Sequence, residues 1–382
     1  MMTQRQRFYA LDVMRGLAIA LMILVNTPGS WQYIYAPLRH AAWHGFTFAD
    51  IVFPAFLFVV GAAMAFSLTT SGYSVALVQK ILRRSALMFG CGLFLNWFWW
   101  HDLETLRVMG VLQRIAIAYA IAALLIVGLP CRWLLPTMCV VLLSYFALLQ
   151  LAADPYSLQG NLVRQIDLWL LGDAHMYQGF GVPFEPEGLL STMPAVVNVL
   201  IGYWVAVQLI QRKPSAALSW LAWRGAAMIG LALLLAPIWP VNKALWSGSY
   251  VLLSSGLLLW LLAALVWLVD IKHATRLTEP LRIYGTNPLF IYMLSWMWTV
   301  LIERLIQLPS YLSPSRQTDA ALHSHSTQSH GDSTLSLGSY LFEHLATVLP
   351  AELASLCYAV VHVVLFWWLS RWLYQRQIFI KL

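Results

Sequence analysis

Residues 9–26 read YALDVMRGLAIALMILVN, and residues 38–61 read LRHAAWHGFTFADIVFPAFLFVVG. The first stretch approaches the ~20 mostly apolar residues that a membrane-spanning helix needs. Asp12, Arg15 and Asn26 interrupt it. At about 100° per residue, Arg15 lies about 300° on from Asp12, and Asn26 about 1400° on, equivalent to about 320°. The three polar groups therefore share one stripe about 60° wide. Charge inside a span has to face protein or water rather than lipid. This helix is therefore expected to lie in a bundle with that stripe turned inward. It is not expected to be a cleaved leader, because charge breaks its apolar run and no A-x-A site follows.

The rest of the chain agrees. Of 382 residues, 60% are hydrophobic and 10% charged. An ordinary soluble domain is nearer ~45–50% apolar and ~25% charged. That composition excludes a soluble enzyme, a disordered chain and a simple nucleic-acid binder. The formal charge of +7 is a membrane-protein bias, not a nucleic-acid footprint. Cys91, Cys131, Cys139 and Cys357 have no CxxC spacing, so neither a disulfide framework nor a zinc site is indicated.

Ten spans are predicted, at about 9–26, 48–69, 83–100, 112–129, 132–152, 189–210, 221–239, 248–269, 283–305 and 353–374. The fold class is therefore an all-α polytopic membrane protein, read as one transmembrane domain over 1–382. With the N-terminus inside, fifteen Lys and Arg fall on the inner side and seven on the outer, with Arg15 in the first span. That bias predicts N-in and C-in. Thirteen of the sixteen acids fall at or beyond the outer face. Topology alone explains this skew; a polyanion handled inside and a cation outside would also produce it. Arg83, Arg84 and Arg282 are read as topology determinants.

Two outer loops are long, 153–188 and 306–352. Loops of that length are usually functional or disordered. The second carries His323, His325 and His330 among serines and is read as a flexible connector; no metal is expected. No internal repeat of the transporter kind is found.

Asp12 and Arg15 stand at i, i+3 and can form an anchoring ion pair. Asn26, at the outer end of the stripe, can donate to an oxygen that becomes negative during acyl transfer. In the second stretch His40, Trp43, His44 and Asp50 gather where the chain enters the membrane. Histidine is the side chain best poised for proton transfer near neutral pH; a bland interfacial role is the alternative for either ring.

These two stretches resemble the transmembrane heparan-alpha-glucosaminide N-acetyltransferase family. The likeness continues in LRVMGVLQRIAIAY from Leu106, PEGLLSTMPAVVNVLIG from Pro186, PVNKALWSGSYVL from Pro240 and YGTNPLFIY from Tyr284. The blocks run in the family's order across 9–292. The resemblance implies transfer of an acetyl group from cytoplasmic acetyl-CoA to the amine of glucosamine, or of a glucosamine-terminated saccharide, on the far side. It places the catalytic histidine at His40 and the asparagine of the first span at Asn26. His44 stands where the animal pattern has asparagine and receives no role. Glu185 stands where the family usually has Asp, and Glu187 matches directly. The first span also looks like that of the larger multipass O-acyltransferases, which often carry His where this chain has Asn26.

On this basis His40 is the expected general base or transient acetyl carrier, with Asn26 the oxyanion donor. Asp50, Glu187, Asn242 and Lys243 are candidate sugar contacts. Arg114, Gln113, Ser247 and Arg15 are candidate acetyl-CoA contacts. Arg114 opens an apolar helix where an unpaired charge is expensive, so it either lines the cofactor channel or pairs with an acid such as Asp102. A bacterial inner membrane is expected, with a homodimer expected only from the family. An amino-sugar transporter without chemistry and an O-acyltransferase of a surface glycan stay open as alternatives.

Overall fold

The computed structural model describes residues 8–68, 74–309 and 334–380. Its helices are α1 (Tyr9–Asn26), α2 (Val52–Ser67), α3 (Val75–Trp100), α4 (Val111–Gly128), α5 (Leu134–Leu149), α6 (Leu162–Leu171), α7 (Leu189–Ile210), α8 (Pro214–Leu235), α9 (Gly248–Leu265), α10 (Thr275–Tyr284), α11 (Pro288–Val300), α12 (Leu337–Ala346) and α13 (Ala351–Gln375). Among the described residues, eight helical segments are long and apolar enough to cross a bilayer. The protein is a polytopic all-α membrane protein.

The core is α2 against α7. Most of both helices is buried, whereas less than a quarter of the α5 and α8 spans is. Apolar residues all round therefore mean different things: protein contact for α2 and α7, an outward apolar surface suited to lipid for α5 and α8. Two glycines permit the central crossing. A Cβ at Gly61 would stand 1.8 Å from the Val199 carbonyl oxygen, and one at Gly202 would stand 1.9 Å from that of Phe58. Only bare backbone fits such an approach.

Two predicted spans take another form. The third helix begins at Val75, a turn or more before the apolar run, because Ser74 caps it by accepting from Leu77 N. The ninth, expected as one run over 283–305, is broken. α10 ends at Tyr284, α11 starts at Pro288, and a π-helical turn covers Leu301–Leu305. Pro288 lacks the N–H that would continue the preceding turn and disfavours helical backbone at Asn287. Asn287 instead donates to Ile378 O at 2.9 Å and accepts from Ile380 N at 2.7 Å, tying the break to the C-terminal segment.

The start of α1 is held remotely. Tyr9 N and Ala10 N donate to the Asp270 carboxylate at 3.1 and 3.3 Å, supplying first-turn N–H groups with an acceptor. Residues 9–16, 270, 281–287 and 374–380 thus meet at one end of the bundle. The opposite end carries the loops that follow α1, α3 and α8 and the segment before α7. There the 153–188 loop contains α6. The 306–352 loop is structured at its flanks, where Gln307–Pro309 pairs antiparallel with Thr334–Ser336 ahead of α12. Its His323–His330 stretch lies outside the described residues.

Candidate active site

Thr47 starts the short helical turn Phe48–Ile51 with a reciprocal cap, and Asp50 supplies the carboxylate of that cap. Asp50 Oδ2 accepts from Thr47 N at 3.0 Å, Thr47 Oγ1 at 3.1 Å and Ala41 N at 3.2 Å. Tyr250 OH of α9 grips the Asp50 carbonyl at 2.7 Å. The carboxylate is fully buried and fixed, which leaves Oδ1 for a side chain. That side chain is His40, whose Nδ1 stands 2.8 Å away. The imidazole is 40% exposed, so its other edge can be reached.

Lys243 completes the group. Its Nζ lies 3.0 Å from His40 Nδ1, 3.2 Å from Nε2 and 3.5 Å from Asp50 Oδ1. A ring nitrogen that donates its proton to Asp50 cannot also accept from Lys243, so the bond open to the ammonium is Nε2. Burial pulls the Lys243 ammonium below the usual lysine range, while Asp50 and Glu187 work to keep it charged. The loop that presents it is a tight turn. Asn242 Oδ1 accepts from Leu245 N, and Ser247 Oγ accepts from Asn242 N and caps α9. Asn242 Nδ2 also stands 3.3 Å from His44 Nδ1.

A second charged group borders the first. Arg107 donates to both oxygens of Glu185, at 2.9 and 2.5 Å, and to Glu187 Oε2 at 2.6 Å. Burial opposes its charge, but the two carboxylates hold the guanidinium above its ordinary value. Burial raises Glu185. For Glu187, burial is outweighed by Arg107, Arg114 and Lys243, which keep it below the usual range. Arg114 is wholly buried, donates to Ser191 Oγ and Gly188 O, and lies 4.7 Å from the Trp246 ring centre. The sequence-based option of an Asp102 partner is not what forms. Asp102 is spent on its own turn, accepting from Glu104 N and Thr105 Oγ1.

All of this borders a cavity of about 1620 Å³ that opens at this end of the bundle. Of the sequence candidates, Asn26, His40, Glu187, Lys243 and Gln113 line it. Asp50, Asn242, Ser247 and Arg114 do not line it; Asp50 holds His40, and Asn242 and Ser247 shape the turn that presents Lys243. Arg15 is elsewhere, toward the opposite end of α1, with its Nη1 3.3 Å from Asp12 Oδ1. The far wall carries residues that sequence reasoning passed over: Glu303, Tyr358 and His362. Tyr358 OH donates to Glu303 Oε1 at 3.1 Å, and His362 Nδ1 lies 2.8 Å from Tyr358 O. An ionisable side chain inside a predicted span was the available signal for Glu303 and His362.

The fold and the site together define a multipass membrane protein with a histidine–carboxylate pair on the wall of a large terminal cavity. Comparison with known families is more specific. The model of the heparan-alpha-glucosaminide N-acetyltransferase catalytic family matches residues 7–235, and the chain belongs to that family. Human heparan-alpha-glucosaminide N-acetyltransferase is 28% identical over 358 residues, covering 75% of this chain and 52% of the relative. The mouse protein of the same name is 28% identical over 357 residues, covering 75% and 53%. The chain thus spans about half the length of the curated relatives it matches.

Proposed function

We propose that the protein moves an acetyl group from cytoplasmic acetyl-CoA to the amine of glucosamine, or of a glucosamine-terminated saccharide, on the periplasmic side of a bacterial inner membrane. The observation that carries this reading is the 2.8 Å contact between His40 Nδ1 and Asp50 Oδ1 on the wall of the cavity, in a member of this acetyltransferase family.

An amine that arrives as an ammonium has no lone pair to attack with. Asp50 holds the Nδ1 proton of His40 and so leaves Nε2 as the base. The amine gives one proton to Nε2, which releases it to the water of the cavity, and the nitrogen then bonds to the thioester carbon. Asn26 donates to the oxygen that turns negative, an interaction worth ~2.7–4 kcal/mol in other acyl transfers. The carbon–sulfur bond breaks, and the proton now acidic on nitrogen passes through Nε2 to the departing sulfur. The products are the acetamide, the CoA thiol and one released proton. Lys243 Nζ stands 3.2 Å from Nε2, where an alkylammonium substrate would bind, so Lys243 has to swing toward Asp50 and Glu187 before Nε2 can take the substrate's proton. Glu187 and the polar wall beside it supply contacts for the sugar.

The test is acetyl-CoA-dependent N-acetylation of glucosamine by the purified protein in detergent. Wild type is expected to turn over and His40→Ala to lose turnover while keeping its thermal unfolding midpoint. Full activity in His40→Ala removes the proposed base. Sugar uptake by proteoliposomes without acetyl-CoA, and with no acetylated product, would make the protein a transporter instead.

A further inference from the structure

Gln113 occupies an unusual position. It is on the first turn of α4, 1% exposed, and lines the cavity. Among the described residues its buried Nε2 has no hydrogen-bond partner, and none bonds its Oε1. Polar atoms so deeply placed are normally paired, because leaving them unmade is costly. Two glycines make room for this side chain. A Cβ at Gly92 of α3 would stand 2.3 Å from Gln113 Oε1, and one at Gly110 would stand 3.0 Å away. Both glycines also line the cavity. Next to them Asn96 donates to the carbonyls of Arg107 and Met109 at 2.7 and 3.0 Å, pinning the segment that leads into α4 to α3. The carboxamide is therefore seated against bare backbone at the edge of the cavity, with no described residue bonded to its donor or its acceptor.

We propose that Gln113 recognises a secondary amide of the bound ligand, its amide group pairing with the ligand's C=O and N–H side by side. The inference rests on the acetyltransferase reading and adds to it a residue that selects the ligand. A carboxamide is the side chain whose donor and acceptor match those of another amide. Two parts of the reaction carry that group: the pantetheine arm of the acetyl donor, and an N-acetylated sugar within a longer acceptor. The chemistry is the same for both, and binding measurements separate them.

Full-length wild type, Gln113→Met and Gly92→Ala are titrated in detergent with CoA and, separately, with a di-N-acetylated disaccharide. Gln113→Met keeps the length and loses both polar atoms; Gly92→Ala keeps the amide but pushes it from its seat, since the new Cβ would stand 2.3 Å from Oε1. Both variants are expected to weaken one ligand about tenfold or more, the loss of two hydrogen bonds, and to spare the other. Weaker CoA alone assigns the pantetheine arm, and weaker disaccharide alone assigns the acceptor. The Gln113→Met unfolding midpoint is expected to be unchanged or higher, since an unmet buried amide is removed. Unchanged affinity for both ligands overturns the inference, as does a fall in affinity that merely follows a fallen midpoint. If wild type binds neither ligand, the acetyltransferase reading itself fails, and wild type alone reveals that.

Discussion

His40 Nδ1 and Asp50 Oδ1 stand 2.8 Å apart, and the same carboxylate closes the helical cap that begins at Thr47. One side chain therefore folds the loop and sets the ring. The three hydrogen bonds to Asp50 Oδ2 come from residues 41 and 47, and Tyr250 holds its carbonyl, so its position does not depend on His40.

Asp50→Asn is expected to keep the loop and lose the tautomer. The amide nitrogen offers a donor where Oδ1 accepted, which turns Nδ1 into the acceptor and puts the proton on Nε2. Turnover should fall by up to about 10⁴-fold, with the unfolding midpoint much less affected than by Asp50→Ala. Steady-state acetylation alongside a thermal melt in detergent checks both halves. Turnover near wild type in Asp50→Asn would leave the carboxylate a loop cap only.

Asn26 ends α1 on the cavity wall, half-buried, and its side chain bonds to no described residue. No described residue occupies its donor. Asn26→Ala should lower kcat about 10²- to 10³-fold, the usual effect of removing one oxyanion donor, and leave the affinity for CoA unchanged. Loss of affinity with kcat intact would make it a binding residue and not a stabiliser of developing charge.

The pattern of spans was legible in the sequence because lipid leaves the backbone few options and about 20 apolar residues are hard to hide. Asn26 stood out as a polar group at the end of an apolar run, whereas His40 was one of two histidines near the second span and was singled out only by the family resemblance. The role of Asp50 was half visible, since Thr47 and Asp50 have the spacing of a helix cap, but not that its second oxygen would be left for His40. Arg107 was not legible. Its partners lie 78 and 80 residues on, and only the packing of two distant loops brings them together. The openness of Gln113 was equally out of reach, because an unmet hydrogen bond depends on every neighbour at once.

Asp167 sets a pH dependence. It is fully buried behind the start of α7, where Oδ1 accepts from Leu189 N at 3.0 Å and Oδ2 has no partner among the described residues. Burial pushes its carboxyl up to about 7. The unfolded chain ionises it near an ordinary carboxylate value, so between about pH 4 and 7 the folded state holds the extra proton. Stability must then fall as pH rises through that window, by an amount on the order of a few kcal/mol. Asp167→Asn is expected to flatten this part of the curve. Melts of both proteins from pH 4 to 8 decide it, and parallel curves would mean the carboxyl does not hold that proton.

Arg107 is the other place where burial makes charge matter. Its guanidinium holds Glu185, which is fully buried, and Glu187, which faces the cavity. Removing one partner of a buried pair leaves uncompensated charge and typically costs about 3–5 kcal/mol. Arg107→Met should therefore destabilise strongly. Its effect should also depend on Glu185 more than on Glu187, because Arg107 gives Glu185 two hydrogen bonds and Glu187 one. Adding Glu185→Gln to Arg107→Met should recover most of the lost stability, since the second change removes the charge stranded by the first. Adding Glu187→Gln should recover less and should also impair acetylation, because Glu187 faces the cavity. A double-mutant cycle measured by urea or thermal unfolding gives the coupling directly. Equal rescue by both second changes, or rescue by neither, would show that the cluster is not organised around the Arg107–Glu185 bond.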